Sequence, residues 1–330
     1  MTLNYPRKID LACAPTPLQY LSRASEKWGN GHKIWVKRDD MTGSTLSGNK
    51  VRKLEFILAH AIDNGYDTVV TAGGIQSNHC RATAFAAAQM GLSSHLILRG
   101  EEPSEFEGNY LLDHLAGARV NCYPSKAFLR ERESIFSHWV DHYAGLGRKA
   151  LVIPIGGSDE IGIWGYIAAA QELSEDFQSA GIRQANIVTA TGSGGTQAGL
   201  SLGAMLHELP AEVWGINVCD DEQYFLNKIS EDVEAWYERF PGAPTVEVHP
   251  RIIEGYVGAG YGIASPEVFD LIKTLSALEG LVLDPVYTGK AFAGMVSEIA
   301  KGRFAQCEDI VFIHTGGIYG LFPQGASFRF

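Results

Sequence analysis

Residues 186–200 read NIVTATGSGGTQAGL, an apolar β-branched run that passes through a glycine-rich segment into a second apolar stretch. Glycines allow positive φ and a close approach of the backbone to a ligand. Successive amide N–H groups at the start of a helix favour an anion. The segment lacks the Lys-Ser/Thr ending of a nucleotide P-loop and the spacing G-x-G-x-x-G, so a compact phosphate monoester fits it better than a nucleotide. A plain strand-to-helix turn is the alternative interpretation.

Two other apolar runs lead into glycine-rich loops in the same way. DTVVTAGGIQSNH spans residues 67–79, and IVFIHTGG spans residues 310–317. In open α/β sheets, ligands bind beyond the carboxyl ends of the strands, so the three loops are expected to share one pocket. Short apolar runs alternate with helix-period segments, which predicts an α/β fold with mostly parallel sheets. The predicted strands are 33–37, 68–71, 95–98, 151–155, 186–190, 212–218 and 310–314, and the predicted helices include 49–65, 78–90, 165–178 and 196–206.

The composition is that of a globular protein with an acidic surface. The 330 residues suggest about two domains, and 45% hydrophobic with 20% charged residues is ordinary for a folded chain. The net charge of −11 argues against nucleic acid or an anionic membrane as a partner. No apolar run is long enough to span a bilayer, and the start does not resemble a signal peptide. The five scattered cysteines have no C-x-x-C spacing, which predicts reduced thiols in the cytoplasm and no metal site.

The segment SGNKVRKLE, residues 47–55, contains a candidate nucleophile. Lys50 stands near a helix start in a cationic neighbourhood, which lowers the pKa of an amine, and a neutral amine forms a Schiff base with an aldehyde. A solvated basic turn is the simpler interpretation. Ser47 and Lys50 also have the S-x-x-K spacing of serine acyl-enzymes. That class requires S-D-N and K-T-G elements, whereas residues 288–290 read TGK.

The loop GIQSNH, residues 74–79, places three polar side chains at a predicted helix start. Ser77 fits the N-cap position, which is a purely structural interpretation. The functional interpretation is that the Ser77 hydroxyl and the exposed amides bind a substrate carboxylate, which the helix dipole also favours.

Taken together, the motifs resemble one family. They are KRDD (37–40), SGNKVRKLEF (47–56), GGIQSNH (73–79), GSGGT (192–196), DPVYTGK (284–290) and HTGG (314–317). In order and over nearly the whole chain, they resemble the D-cysteine desulfhydrase and 1-aminocyclopropane-1-carboxylate (ACC) deaminase family. These are enzymes of pyridoxal 5'-phosphate (PLP) with the tryptophan synthase β-like fold, called fold type II. WGY (164–166) and VCDD (218–221) are closest to the desulfhydrase branch.

The resemblance implies two open, mostly parallel twisted sheets with flanking helices. Residues 48–155 would form a smaller domain with the Schiff-base lysine and the carboxylate loop. Residues 1–47 and 156–330 would form the larger, PLP-binding domain, and the chain would be a homodimer.

The resemblance also assigns the cofactor contacts. Lys50 would carry PLP as a Schiff base and move the α-proton of the substrate. Asn78 would bind the ring hydroxyl, and Thr288 would face the pyridine nitrogen. The phosphate would bind to the loop that contains Ser193, Gly194, Gly195 and Thr196.

The substrate contacts follow from the same family. The carboxylate would bind to the Ser77 hydroxyl and to the amides of Asn78 and His79. Tyr261 and Tyr287 would flank the substrate and relay protons. The loop with Thr315 and Gly316 would complete the substrate site.

Three positions separate the two branches of the family. ACC deaminases carry a Glu where this chain has Thr288, and that acid keeps the pyridine nitrogen protonated. They carry Leu where this chain has Thr315, and tend to carry Gln where it has His79. All three differences favour the desulfhydrase branch.

The expected activity is therefore the β-elimination of D-cysteine to pyruvate, hydrogen sulfide and ammonia. ACC, L-cysteate and 3-chloro-D-alanine are alternative substrates on the same machinery. A protein that binds PLP without turnover is a further alternative. The partner in every case is a small amino acid, without nucleic acid or membrane.

Overall fold

Two separate β-sheets form the framework of the protein, as the computed structural model describes it for residues 3–330. The ten strands in these residues, β1 to β10, are Leu18–Tyr20, Lys33–Lys37, Thr68–Gly74, Ser93–Arg99, Arg119–Tyr123, Ala150–Val152, Ala185–Thr191, Ala211–Asn217, Arg251–Ile253 and Asp309–Ile313. The six-stranded sheet has the order β1-β2-β10-β7-β8-β9, and the four-stranded sheet has the order β5-β4-β3-β6. All neighbours are parallel except β1 and β2. The predicted α/β class with two mostly parallel sheets is confirmed.

Helices cover the sheets. The eleven α-helices within residues 3–330, α1 to α11, are Ser22–Trp28, Asn49–Asp63, Asn78–Gln89, Gly108–Leu115, Ser125–Gly145, Trp164–Ala180, Gly195–Leu206, Glu222–Arg239, Pro266–Glu279, Thr288–Ala300 and Ile318–Leu321. In this described part of the chain, no helix is both long enough and apolar enough to cross a membrane.

Strand β10 explains why the six-stranded sheet is buried on both faces. Successive side chains of a strand point to opposite faces of the sheet, and in β10 the side chains on both faces are apolar. Ile310 and Phe312 pack with α10, while Val311 and Ile313 pack with α6 and α7. Helices therefore lie on both sides of this sheet. The four-stranded sheet is also covered on both faces, because Val69 packs with α2 and α3 while Val70 packs with α5.

The structure differs from the predicted strands in length and number. The strand predicted at 151–155 ends at Val152, because Pro154 and a tight turn at Ile155–Gly157 follow it. Gly156 in that turn has a φ of 77°, which a side-chain residue rarely adopts. Strands β1, β5 and β9 were not predicted. They are three to five residues long and lie at sheet edges. β1 and β5 contain no buried residue, whereas Ile252 and Ile253 of β9 are buried.

The four-stranded sheet lies between residues 68 and 152. The division of the chain into two domains, 48–155 and the remainder, stays a prediction.

Candidate active site

Lys50 lies at the start of α2, beside the loop that follows β10. The preceding Gly48 has a φ of 97°, and a β-carbon there would lie 2.7 Å from the carbonyl oxygen of Thr315. The amide of Asn49 donates to that same oxygen at 3.2 Å. Only glycine allows this close approach, so the S-G-N-K sequence fixes the helix start against the end of β10.

The environment of Lys50 favours a reactive amine. The side chain is half-buried, and desolvation lowers the pKa of the amine from 10.5 to about 8. Within residues 3–330, no carboxylate lies at ion-pair distance from it. An appreciable fraction of the amine is therefore neutral at mildly alkaline pH. A lowered pKa of Lys50 was predicted from neighbouring cations, whereas the structure shows that desolvation lowers it.

The phosphate-loop candidate, residues 193–196, connects β7 to α7. Gly194 has a φ of 83° and precedes the first residue of the helix. The amide of Gly195 donates to Ser158 Oγ at 3.2 Å, and Ser158 Oγ donates to Ser193 Oγ at 3.0 Å. The side-chain amide of Asn49 donates to Thr196 Oγ1 at 2.9 Å. The residue before Lys50 is thus bonded directly to this loop.

Lys53 is a buried lysine that sequence reasoning missed. Its side chain is inaccessible to solvent, and its Nζ donates to Gly156 O at 3.1 Å and to Ser158 Oγ at 3.2 Å. Burial, assisted by the charge of Lys50, lowers its pKa well below the ordinary value. Since Ser158 also contacts Gly195, Lys53 lies against the loop that would hold a phosphate. The spacing Lys50–Lys53 places both lysines on one helix face, which is the signal that could have identified it.

Ser77 is the N-cap of α3, and its Oγ accepts a hydrogen bond from the amide of Cys80 at 3.2 Å. A β-carbon at Gly73 would lie 2.4 Å from that hydroxyl, so glycine is required there. The Asn78 side-chain oxygen accepts from the Asn109 amide group at 3.0 Å. The start of α3 therefore presents the Ser77 loop on a rigid support.

Arg81 connects α3 to the segment before Lys50. Its guanidinium is buried and donates to both Ser47 Oγ at 3.0 Å and Ser47 O at 2.8 Å. The carboxylate loop and the lysine are thereby held together by side-chain bonds.

His79 is buried and neutral. Its Nε2 lies 2.8 Å from Thr71 Oγ1, and the Thr71 hydroxyl donates its hydrogen to Ile153 O at 2.8 Å. Nε2 must therefore carry the imidazole proton, which leaves Nδ1 as an acceptor. Burial, with the nearby charge of Lys50, holds the pKa of His79 well below its ordinary value. Among the described residues, this buried Nδ1 has no hydrogen-bond partner.

The two candidate tyrosines form a pair. Their hydroxyl oxygens lie 2.6 Å apart. A β-carbon at Gly192 would lie 3.0 Å from the Tyr287 ring, and one at Gly74 would lie 3.5 Å from the Tyr261 ring. Tyr261 and Tyr287 thus connect the β7 loop to the β3 loop. Desolvation raises the pKa of both hydroxyls, so both remain protonated at neutral pH.

Asp284 organises the DPVYT turn, and it was not among the predicted site residues. Its Oδ2 accepts from the amides of Val286 and Tyr287 at 2.8 and 2.9 Å. Its Oδ1 accepts from the Thr288 amide at 2.9 Å and from the Thr288 hydroxyl at 2.7 Å. The hydroxyl hydrogen of Thr288 is thus directed at Asp284. The Thr288 oxygen also accepts from the amide of Asp284 at 2.8 Å. Thr288 therefore has one oxygen lone pair left for its other neighbours, and it has no acidic group.

The loop after β10 is shaped by a neutral histidine. His314 Nε2 lies 3.0 Å from Val282 O and donates to it, while Nδ1 accepts from the amide of Gly316 at 3.2 Å. Gly316 has a φ of 86°, and a β-carbon there would lie 2.8 Å from Gly48 Cα. The Thr315–Gly316 loop and the Lys50 helix start are in direct contact.

The structure therefore brings the candidate residues together at the carboxyl ends of β3, β7 and β10. Direct contacts connect the Lys50 helix start to the loops at Thr196 and Thr315, and to α3 through Arg81. This set fits PLP. The start of α7 and the buried Lys53 suit a phosphate, the depressed pKa of Lys50 suits an aldehyde, and the unpartnered His79 Nδ1 leaves a buried acceptor near that lysine.

The comparisons with known proteins agree with this fit. Residues 9–316 match the family of pyridoxal-phosphate dependent enzymes. An Arabidopsis thaliana protein named bifunctional D-cysteine desulfhydrase/1-aminocyclopropane-1-carboxylate deaminase, mitochondrial, is 40% identical over 96% of this chain and 79% of its own. A Thermotoga maritima protein with the provisional name 1-aminocyclopropane-1-carboxylate deaminase is 41% identical over 96% of this chain and 98% of its own. A crystal structure described as an ACC deaminase homologue has a TM-score of 0.87 at 39% identity, covering 97% of this chain and 94% of that one.

The chain therefore belongs to the family of pyridoxal-phosphate dependent enzymes, and PLP is its cofactor. Within the family, it is a lyase of the group that contains D-cysteine desulfhydrases and ACC deaminases. The family resemblance of its motifs is confirmed. The roles of the individual site residues stay predictions.

Proposed function

We propose that the protein is a D-cysteine desulfhydrase, which converts D-cysteine and water to pyruvate, hydrogen sulfide and ammonia. The observation that carries the proposal is Thr288. A neutral hydroxyl, bonded to Asp284, stands where the deaminase branch carries an acid. A neutral partner suits the loss of a good β-leaving group, whereas opening a cyclopropane needs a stronger electron sink. The name of the Arabidopsis relative includes this activity.

PLP, when bound, supplies the electron sink for removal of the α-proton. Lys50 takes that proton, since its depressed pKa makes a neutral amine available. The Ser77 hydroxyl and the amides of Asn78 and His79 hold the substrate carboxylate at the start of α3, where the helix dipole favours a negative charge. Lys53 and the amides of residues 193–196 would hold the cofactor phosphate at the start of α7.

Tyr287 donates a proton to the departing thiolate. Its hydroxyl remains protonated because desolvation raises its pKa, and Tyr261 lies within hydrogen-bonding distance to replace the proton. The two hydroxyls form a short proton relay that ends at the leaving group.

Substrate identity is tested with purified protein and four amino acids. Sulfide and pyruvate released from D-cysteine faster than from L-cysteine support the proposal. If sulfite from L-cysteate or 2-oxobutanoate from ACC is the main product, that amino acid replaces D-cysteine as the proposed substrate. A visible PLP absorption band, with none of the four amino acids converted, would favour a protein that binds PLP without turnover. The deaminase names of two relatives make ACC the second candidate.

Two further properties complete the proposal. We infer that the chain is a homodimer and that it works in the cytoplasm. All five cysteines are unpaired, which is compatible with a reducing compartment.

Replacing Tyr287 by phenylalanine is expected to lower kcat about 100-fold, as loss of a general acid does. Tyr261→Phe is expected to lower it less, because Tyr261 acts through Tyr287. Steady-state sulfide release measures both. Equal kcat values for Tyr287→Phe and wild type would contradict the role of Tyr287 as proton donor.

The uptake of PLP by the apoenzyme is expected to depend on pH through Lys50. Only the neutral amine attacks the aldehyde, so the rate rises with pH. The midpoint is expected at about 8, where desolvation places the pKa, and not at the ordinary 10.5. Stopped-flow absorbance at constant PLP concentration gives this profile. A rate that keeps rising above pH 10 would show that Lys50 has an unperturbed amine.

A further inference from the structure

Residues 254–263, called here the Tyr261 loop, connect β9 to α9. The loop has the sequence EGYVGAGYGI, and its four glycines have φ values of 98°, 68°, 139° and 77°. It contains neither helix nor strand. Glycine-rich backbone loses much conformational entropy when it is ordered, so specific contacts must hold this loop in place.

Lys290 supplies such contacts at the tip of the loop. Its Nζ donates to Val257 O at 2.6 Å and to Gly260 O at 2.9 Å. Gly260 immediately precedes Tyr261. A second attachment lies nearer the start, where the Tyr256 hydroxyl donates to Glu298 Oε1 at 2.7 Å. Of these two attachments, the one made by Lys290 is nearer to Tyr261 in the sequence.

The position of Lys290 is unfavourable for a cation unless the loop compensates it. The residue is 2% exposed and is the third of α10, where the helix dipole disfavours positive charge. Among residues 3–330, no carboxylate pairs with it at ion-pair distance. A buried ammonium without hydrogen bonds is costly. The two loop carbonyls are therefore what stabilises the charge, and the charge in turn fixes the loop.

The loop matters because Tyr261 reaches from the six-stranded sheet to the four-stranded one. Its ring lies over Gly74 at the end of β3, and the Arg99 guanidinium at the end of β4 lies 5.3 Å from the ring centroid. Its hydroxyl contacts that of Tyr287 at 2.6 Å. A shift of the loop by 1 Å would break this contact.

We propose that Lys290 is a positioning residue for Tyr261, which it holds over the site by fixing the carbonyls of the Tyr261 loop. This role rests on the proposed function, in which Tyr261 serves Tyr287. Lys290 has no contact with substrate in this account and acts through Tyr261.

The test compares the PLP-loaded variants Lys290→Met and Lys290→Arg with wild type. Amide hydrogen exchange in residues 254–263 is measured without substrate. We expect it to be faster in Lys290→Met on the order of tenfold, and intermediate in Lys290→Arg, which keeps the charge and its donors. Lys273→Met, a change at a partly exposed lysine of α9, is the matched control and should leave loop exchange unchanged. Unchanged exchange in Lys290→Met would overturn the proposal, whatever the substrate is.

Kinetics then test the connection to Tyr261. In the wild-type background, Lys290→Met is expected to lower kcat/KM for D-cysteine about tenfold or more, since small misplacements of positioned groups have large effects. In a Tyr261→Phe background, the same change should have little further effect, because the residue acts through the Tyr261 hydroxyl. An equal loss in both backgrounds would overturn the role. If Lys290→Met does not retain its PLP band, the same two comparisons are made with Lys290→Arg. Its loss of kcat/KM is expected to be smaller in the wild-type background and absent in the Tyr261→Phe background.

Discussion

Lys50→Ala is expected to lower kcat by about 10⁴-fold, at the upper end of the effects seen for a lost general acid or base. One amine has two tasks in the proposed mechanism, since it binds the cofactor covalently and moves the α-proton. Desolvation gives that amine a pKa of about 8, and the preceding Asn49 is bonded to both the phosphate loop and the β10 loop. The visible band of covalently held PLP should disappear in the same variant.

Two controls separate chemistry from folding. Lys50→Arg keeps the positive charge but has no neutral amine at accessible pH, so it should be as inactive as the alanine variant. Lys149→Ala removes an exposed lysine and should keep wild-type activity. Activity of Lys50→Ala within tenfold of wild type would mean that another base acts, and Lys53 would be the next residue to change.

Asp39→Ala is expected to lower the free energy of unfolding by about 3–5 kcal/mol, as removal of one partner of a buried ion pair does. Asp39 is fully buried and accepts two bonds from Arg52, at 2.8 and 3.0 Å. It also accepts from the hydroxyls of Tyr166 at 2.6 Å and Thr16 at 2.8 Å. Without the carboxylate, the Arg52 charge is only partly compensated, by Glu172. Urea unfolding of the holoenzyme measures the difference.

The neighbouring Asp40→Ala is the matched control. Asp40 pairs with Arg38 in a half-buried position, where both side chains are 20% exposed, so its removal is expected to cost less than removal of the fully buried Asp39. Equal losses for the two variants would contradict the account of the Asp39 network.

The Asp39 network also has a defined pH dependence. Burial raises the pKa of Asp39, but the charge and hydrogen bonds of Arg52 outweigh it, so the pKa lies below the ordinary 3.8. The stabilisation is therefore present above pH 3.8 and is lost as the pH falls through the lower value of the folded state. Because Arg52 is two residues from Lys50, this network also supports the helix that carries the catalytic amine.

The local patterns predicted the α/β class and the glycine-rich loops at strand ends, whereas the arrangement in two sheets followed from the family resemblance. Each of the three loops at the ends of β3, β7 and β10 follows a continuous apolar run, and parallel strands buried on both faces have this pattern. Their glycines signal positive φ or close approach, as at Gly194 and Gly316. Sequence patterns of this kind indicate local conformation only. They were informative about the site because parallel strands end on the same side of a sheet, which brings the loops together.

The contacts between distant segments were not predictable in the same way. Lys53 contacts Ser158, and Lys290 contacts the carbonyls at Val257 and Gly260. Each pair joins segments that are far apart in sequence, and one partner is a backbone atom or a common serine, which has no signature in the sequence. The edge strands β1 and β5 were missed because none of their residues is buried, and β9 was missed because it is only three residues long. The low pKa of Lys50 was anticipated, but its cause, desolvation, depends on the packed structure.

The proposed site prefers a β-thiol substrate to a cyclopropane, because a neutral hydroxyl follows Tyr287. A competition assay tests this preference most directly, with D-cysteine and ACC at equal concentration in one reaction of the holoenzyme. Pyruvate with an equal amount of sulfide, in large excess over 2-oxobutanoate, is the predicted result. Excess 2-oxobutanoate would contradict the claim and place the chain with the ACC deaminases.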